Sequence, residues 1–221
     1  MEEPGVDPVV LRRTYAQFGP LNDLVAGWRR AWRRTLAPAA HAAAAEHGRV
    51  RLLDVGCGGG DLIRRLCAWA AQDGVELHAT GVDPDPVALA YARSRSVPPN
   101  VRYRQARAEE LPDGDRFDLI VSNHLLHHLP EPELTALACT CERLRAPSGT
   151  VLHGDIHRNA LALPAFALAS FPFRRSFVRE DGFRSIRRAW RPHELAPLLP
   201  PGWRAERVGR FRIQVGVAPH R

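Results

Sequence analysis

Arg49-Val50-Arg51-Leu52-Leu53-Asp54-Val55-Gly56-Cys57-Gly58-Gly59-Gly60-Asp61 divides into three parts of different physical character. Val50, Leu52, Leu53 and Val55 form a short apolar run, suited to a strand buried on both faces of a parallel sheet. Glycine then stands at 56, 58, 59 and 60, and a helical pattern follows through Leu62, Ile63, Leu66, Cys67 and Ala70. Strand, glycine turn and helix together bring backbone close to a nucleotide-like ligand. A dinucleotide loop needs its third glycine three places after the second, at position 61, which is Asp61. The spacing here is instead Asp54-x-Gly56-x-Gly58-x-Gly60, with a carboxylate ending the strand.

The 221 residues suit one α/β domain with modest additions. No apolar run is long enough to span a bilayer, and Met1-Glu2-Glu3-Pro4 lacks a charged-then-apolar leader, so a cytoplasmic protein is expected. Cys57, Cys67, Cys139 and Cys141 lack zinc-site spacing and read as reduced thiols, with no metal site expected. The net charge of +7 invites a nucleic-acid partner, but all 31 basic residues are arginine and none is lysine. Abundant Ala, Arg, Pro and Gly beside absent Lys point to codon usage, so no dedicated nucleic-acid partner is expected.

Residues 11–47 read as two helices, the second carrying Trp28, Trp32 and Leu36 at helical spacing against Arg29, Arg30, Arg33 and Arg34. Residues 1–48 are assigned to an N-terminal helical lid segment and 49–221 to the core, with a lid insertion at about 159–190. A second strand over 75–82 ends in Asp83-Pro84-Asp85. Asp83 lies 29 residues after Asp54, at a strand tip where a carboxylate can accept both ribose hydroxyls of a nucleoside. Asp85 suits the N-cap of the next helix, which frees Asp83 for ligand. Strands follow at 101–105, 117–123 and 150–154, a helix at 131–145, a further helix from Pro192, and closing strands near 203–208 and 211–217. In the last of these Phe211, Ile213, Val215 and Val217 alternate inward.

Asp54, Gly56, Gly58 and Gly60 resemble motif I of the class I S-adenosylmethionine (SAM) methyltransferases, and the β-α repeat closing in a hairpin matches their order. The resemblance implies a Rossmann-like, seven-stranded, mostly parallel sheet with a terminal antiparallel hairpin and a helical lid. Its cofactor is SAM, converted to S-adenosylhomocysteine (SAH). Asp54 then offers negative charge near the SAM ammonium, and the amides opening the next helix favour its carboxylate. Gly56, Cys57, Gly58, Gly60, Asp83, Pro84, Asn123 and His124 complete the expected cofactor contacts. The family usually has an acid where Arg107 stands; Arg107 cannot accept a bond from adenine, which leaves that role to backbone near Ala108 or to Glu109.

In an open parallel sheet ligands bind outside the carboxyl ends of the strands. A phenol titrates near about 10 and a histidine near about 6.5, so a positioned imidazole is a workable proton acceptor. His127 oriented by Asp155 is the first choice for such a base, with His128 and His157 as reserves. Alternatively, the two histidines belong to a helix start and bond only to backbone. Asn22 with Gly27, His127-His128, Asp155-Ile156-His157-Arg158, Asp181-Gly182, Ser185-Ile186 and Arg188-Ala189-Trp190 are similar to small methyltransferases encoded beside type III polyketide synthases. That resemblance implies methyl transfer to a hydroxyl of a phenolic or quinone-like polyketide. Carbon methylation of a quinone-like ring, and a non-catalytic SAM-binding partner protein, are the alternatives. A small aromatic acceptor is the expected partner; the sequence leaves a homodimer open.

Overall fold

The computed structural model describes residues 27–169 and 177–218. The expected first helix over residues 11–21 lies outside them. Seven strands form one sheet in the order β3-β2-β1-β4-β5-β7-β6. The strands are β1 (Val50–Val55), β2 (Leu77–Asp83), β3 (Val101–Gln105), β4 (Phe117–Asn123), β5 (Arg145–Ile156), β6 (Arg204–Val208) and β7 (Arg212–Val217). The first five run parallel, whereas β7 pairs antiparallel with both β5 and β6. The expected seven-stranded, Rossmann-like architecture is the one present.

Five helices carry the layers: α1 (Ala37–His47), α2 (Asp61–Gln72), α3 (Pro86–Ser94), α4 (Glu131–Leu144) and α5 (Ala162–Ala169), followed by α6 (Phe177–Arg188). Before α1 the chain is already helical over Trp28–Ala31, then widens into π-type turns over Trp32–Leu36. Trp28, Trp32 and Leu36 are buried against Leu52, Leu119, Val121 and Leu152, together with Leu62, Ile63 and Leu66 of α2. The periodicity of that segment therefore reports packing on the sheet. On the opposite face Leu53, Ile120, Val151, Ile213 and Val215 meet Leu134, Leu137 and Leu144 of α4. Asp85 caps α3, its side chain accepting from the Val87 amide at 2.8 Å, as expected.

Three features go beyond the sequence reading. The fifth strand runs over Arg145–Ile156 instead of 150–154, so Asp155 lies inside it, paired with Ile213 of β7. Where β5 enters the sheet the β4 register shifts between Phe117 and Leu119, which lets the Pro147-Ser148-Gly149 turn remain in the strand. The insertion at about 159–190 carries, among the described residues, the two helices α5 and α6. They pack closely: a Cβ on Gly182 would lie 2.1 Å from the Phe166 ring, and Phe166 meets Phe183 edge-on at 5.4 Å. The third feature concerns β7, where alternation sends Arg212 to solvent. Arg212 is 6% exposed, because β7 is covered on both faces at that end.

Between β3 and β4 the only helical element is the short turn Ala108–Glu110. A groove of about 570 Å³ follows, lined by Arg51, His78, Thr80, Arg102, Arg104 and Phe117. It lies toward the amino ends of β1 and β2, away from the strand ends described next.

Candidate active site

The glycine turn leaves β1 with three left-handed residues, Gly56 (φ 64°), Gly58 (φ 50°) and Gly60 (φ 72°). A side chain is strained at each, and at Gly60 a Cβ would also stand 2.2 Å from the Tyr103 hydroxyl. Asp54 is buried at the strand end, and the backbone N–H of Ile63, in the first turn of α2, bonds to it. Its other oxygen, Oδ2, is buried with no partner among the described residues. Burial, then the charge of Asp83, raises the Asp54 pKa well above the ordinary carboxylate range.

Asp83 ends β2 beside this turn. Its Oδ2 accepts from the Gly58 amide at 2.8 Å and its Oδ1 from the Asp85 amide at 2.9 Å. Burial raises its pKa, and those two hydrogen bonds oppose the shift. Asp54 and Asp83 therefore share one end of the sheet and one turn. Pro84 is exposed after Asp83, Cys57 is a buried thiol in the turn, Ala108 is buried and Glu109 exposed. Arg107 receives no acidic substitute: its amide bonds to Glu110 Oε2 at 3.1 Å.

The turn also touches the end of β4. A Cβ on Gly56 would sit 3.1 Å from the Leu125 side chain, so the glycine turn and the 124–128 loop form adjoining walls. In that loop His124 takes a left-handed conformation (φ 59°), uncommon outside glycine and found where surroundings over-determine the backbone. A single helical turn over Leu126–His128 follows. His127 is buried, and Nδ1 lies 2.8 Å from Asp155 Oδ1 while its backbone amide donates to Asp155 Oδ2 at 3.0 Å. Burial disfavours the Asp155 anion, yet the hydrogen bond from His127 prevails and holds its pKa down at about 2. The ionised carboxylate accepts only, so Nδ1 carries a proton, and in the neutral imidazole Nε2 presents its lone pair. Nε2 is buried without a partner among the described residues.

Of the expected catalytic residues, the structure brings His127 and Asp155 together. His128 is exposed, its ring centred 4.1 Å from that of His127; partial burial and the His127 neighbour hold its pKa down at about 4. His157 turns elsewhere: its amide donates to the Phe211 carbonyl and its Nδ1 lies 3.4 Å from the Asn159 side chain. Two residues beyond the sequence reading complete the loop. Trp190 donates from Nε1 to the Leu126 carbonyl at 2.9 Å, and Arg212 donates to Asn123 Oδ1 at 2.7 Å and to His124 Nε2 at 2.8 Å. A tryptophan after a helix and an arginine in an alternating strand carry no local signal for either role.

His124, His127 and Asp155 bring ligand atoms within 4.8 Å of one another, a set of types that metal ions accept. The hydrogen bonding uses those atoms otherwise. Arg212 donates to His124 Nε2, which places the His124 proton on Nδ1, 4.0 Å from Asp155 Oδ1. Burial and the adjacent guanidinium keep that imidazole neutral, its pKa well below the ordinary value. A cation would have to displace the His124 proton beside a fixed positive charge, so the set works as a hydrogen-bonded network.

Behind it lies a second buried polar group. Ser122 Oγ meets His153 Nδ1 at 2.7 Å, Cys141 Sγ is 3.8 Å from Nε2, and the ring stacks on Trp203. Burial holds the His153 pKa down at about 4.

A sheet in this order, with a glycine turn at β1 and an acid at the tip of β2, defines the Rossmann-like class I methyltransferase fold. Residues 52–149 match the family described as "Methyltransferase domain". A "Ubiquinone biosynthesis O-methyltransferase" of Alkalilimnicola ehrlichii is 40% identical over 113 residues, which is 49% of this chain and 42% of that protein. A Pseudomonas fluorescens protein of the same name is 32% identical over 149 residues, 66% of this chain and 60% of its own. The chain thus spans about half the length of the curated relatives it matches. Among solved structures, the plantazolicin methyltransferase BpumL in complex with SAH superposes with a TM-score of 0.65 at 10% identity, over 96% of this chain and 95% of that one. That likeness concerns the fold.

The residues present fit SAM. Asp54 Oδ2 is a buried carboxyl oxygen without a partner among the described residues, suited to an ammonium. The space a Cβ would fill at Gly58 is open, and Asp83, accepting from two amides, retains lone pairs for hydroxyls.

Proposed function

We propose that this chain transfers the methyl group of SAM to a hydroxyl of a small phenolic or quinone-like aromatic acceptor, of the polyketide or ubiquinone-precursor kind. The observation that carries the reading is the His127–Asp155 pair: an imidazole with its Nδ1 proton fixed by a buried carboxylate, its Nε2 lone pair buried and unpartnered, one loop away from the glycine turn. The O-methyltransferase names of the relatives agree with it.

Bound SAM supplies an electrophilic methyl carbon on a sulfonium. In the proposed reaction Asp54 neutralises the ammonium, Asp83 accepts from the ribose, and the glycine turn admits backbone contact. His127 Nε2 takes the hydroxyl proton as the acceptor oxygen becomes nucleophilic, and Asp155 stabilises the resulting imidazolium. Trp190 holds the carbonyl of Leu126, next to the base, and the helices Ala162–Ala169 and Phe177–Arg188 with the Trp28 helix exclude water. His128 and His157, each placed apart from Asp155 in hydrogen bonding, serve as surroundings of the site.

The test is calorimetric titration with SAM and SAH, then mass spectrometry of turnover on phenols and their O-methyl ethers. Binding of SAH with methylation of free phenols alone is expected. No binding of either nucleoside sinks the reading. Methylation of the ethers at carbon moves the acceptor atom off oxygen and removes the need for His127.

A further inference from the structure

Among the described residues, His124 is the sole non-glycine with a left-handed backbone, φ 59°. A Cβ disfavours that conformation by about tenfold in population, so the surroundings must hold it. The His124 amide donates to the Gly154 carbonyl at 2.9 Å, which continues the β4–β5 ladder one residue past β4. The chain then bends, and His127, three residues on, meets Asp155 near the end of β5. The grip on the bend comes from Arg212 of β7. Its Nη2 donates to Asn123 Oδ1 at 2.7 Å and its Nη1 to His124 Nε2 at 2.8 Å. One planar fork thus clasps the last residue of β4 and the first residue beyond it. The fork lies over bare backbone: a Cβ on Gly154 would stand 3.2 Å from Nη2 and 2.8 Å from the packed Trp28 ring. Arg212 is buried, which lowers its pKa to about 10; the Asp155 charge opposes that shift, and the guanidinium is charged at neutral pH.

Three side chains tether the loop that carries the base. Asp155 holds His127 and Trp190 holds the Leu126 carbonyl, both beyond the bend, whereas Arg212 grips the side chains at the bend itself. We propose that Arg212 is a positioning residue for methyl transfer. By clasping Asn123 and His124 together it keeps residue 124 left-handed, and through that bend it sets where His127 Nε2 meets the acceptor hydroxyl. This rests on the methyltransferase reading above and adds a residue to its machinery. In this role Arg212 touches neither reactant and carries no proton. Its charge also bears on Asp155, and the two effects part on one point. Glycine adopts a left-handed bend without a clamp, but glycine cannot replace a missing charge.

The experiment compares His124→Gly with His124→Ala in the full chain, on a phenol that the native protein methylates. Both variants delete the imidazole and its bonds equally, so whatever the ring contributes is lost from each. Only alanine is disfavoured at φ 59°. Turnover and acceptor KM are measured, with calorimetry for SAH and near-UV circular dichroism for folding. His124→Gly is expected to turn over about three- to tenfold faster than His124→Ala, with acceptor KM and SAH affinity alike in the two. Arg212→Met, which leaves both side chains without the donor, is expected to lower kcat by about tenfold or more. Adding His124→Gly to Arg212→Met is expected to recover kcat by about threefold or more, a non-additive pair. Equal turnover of His124→Gly and His124→Ala overturns the proposal, and that comparison stands even if Arg212→Met fails to fold. Retention of turnover by Arg212→Lys with no recovery by His124→Gly also overturns it, since charge would then be the effect. So does a difference between the two His124 variants in SAH affinity instead of kcat, because the bend would then serve the nucleoside. Failure of the native chain to bind SAH at all is a separate result and sinks the methyltransferase reading itself.

Discussion

Replacing Asp155 by asparagine keeps the shape of the side chain and removes its charge. Three donors meet that carboxylate: His127 Nδ1 at 2.8 Å, the His127 amide at 3.0 Å and the Ile156 amide at 2.6 Å. An amide group has one acceptor oxygen, so its NH₂ faces a donor in either orientation. In one it meets the His127 amide; in the other it meets the Ile156 amide and also Nδ1, and His127 gives up its proton there. The tautomer then reverses, and Nε2 carries the hydrogen it is required to accept. The electrostatic loss can be sized as well. The 2.8 Å contact sets the charge centres of imidazolium and carboxylate about 4 Å apart, worth about 4 kcal/mol at an effective dielectric of about 20. Each 1.36 kcal/mol is a factor of ten, so kcat is expected to fall about 10³-fold. SAH affinity, which does not involve this pair, stays within about twofold. The assay is single-turnover methylation across pH beside calorimetry with SAH, with near-UV circular dichroism to check folding. Turnover within tenfold of native in a folded variant refutes the dyad. The same carboxylate gives a second readout. Its pKa is depressed to about 2 in the folded protein, so its stabilisation is complete above the unfolded value near about 4 and is lost as pH falls through about 2. The urea midpoint of the native protein is expected to drop in that window, and that part of the slope is absent in Asp155→Asn.

Asp83→Ala removes an acceptor used by the Gly58 and Asp85 amides as well as the proposed ribose contact, and is expected to weaken SAH binding by about 1–3 kcal/mol, read by calorimetry. Gly60→Ala adds a Cβ at φ 72° beside the Tyr103 hydroxyl; a loss of at least about 1–2 kcal/mol of stability is expected by denaturant titration, and an unchanged midpoint argues against this turn conformation. The Asp54 pKa is raised in the protein alone, and an ammonium beside it favours the anion. SAH binding is therefore expected to release protons and to weaken as pH falls, checked by calorimetry in two buffers of different ionisation enthalpy. Dialysis against EDTA is expected to leave turnover unchanged, because His127 Nδ1 and two backbone amides already occupy the Asp155 carboxylate and the Arg212 guanidinium lies against His124; loss of turnover restored by a divalent ion contradicts this.

The parts of the fold that were legible in the sequence are those written in local chemistry. Val50, Leu52, Leu53 and Val55 announce a buried strand, the glycines announce left-handed turns, and Asp85 before Pro86 announces a cap. The placement of Asp54 and Asp83 follows from strand ends alone. His127 beside Asp155 was reachable because both stand at the ends of parallel neighbours, and adjacent strand ends meet. Other features depend on long-range packing that spacing does not encode. Arg212 sits in a strand whose alternation points it outward, and the Trp28 helix, about 180 residues earlier in the chain, packs near that end of the sheet and helps turn it into interior. Trp190 is bonded to a carbonyl 64 positions away. Asp54 was read only as a ligand for an ammonium, whereas its bond to the Ile63 amide also finishes the open end of α2, whose own cap residue, Gly60, has no side chain.

Trp190 has one more effect. The Phe177–Arg188 helix ends two residues before it, and its indole is fastened to the carbonyl one position before His127. That helix cannot lift away without tugging on the imidazole's own backbone. Were that helix to move, the loop of the proposed base would move with it, so an acceptor that displaces the helix is expected to be held yet processed slowly.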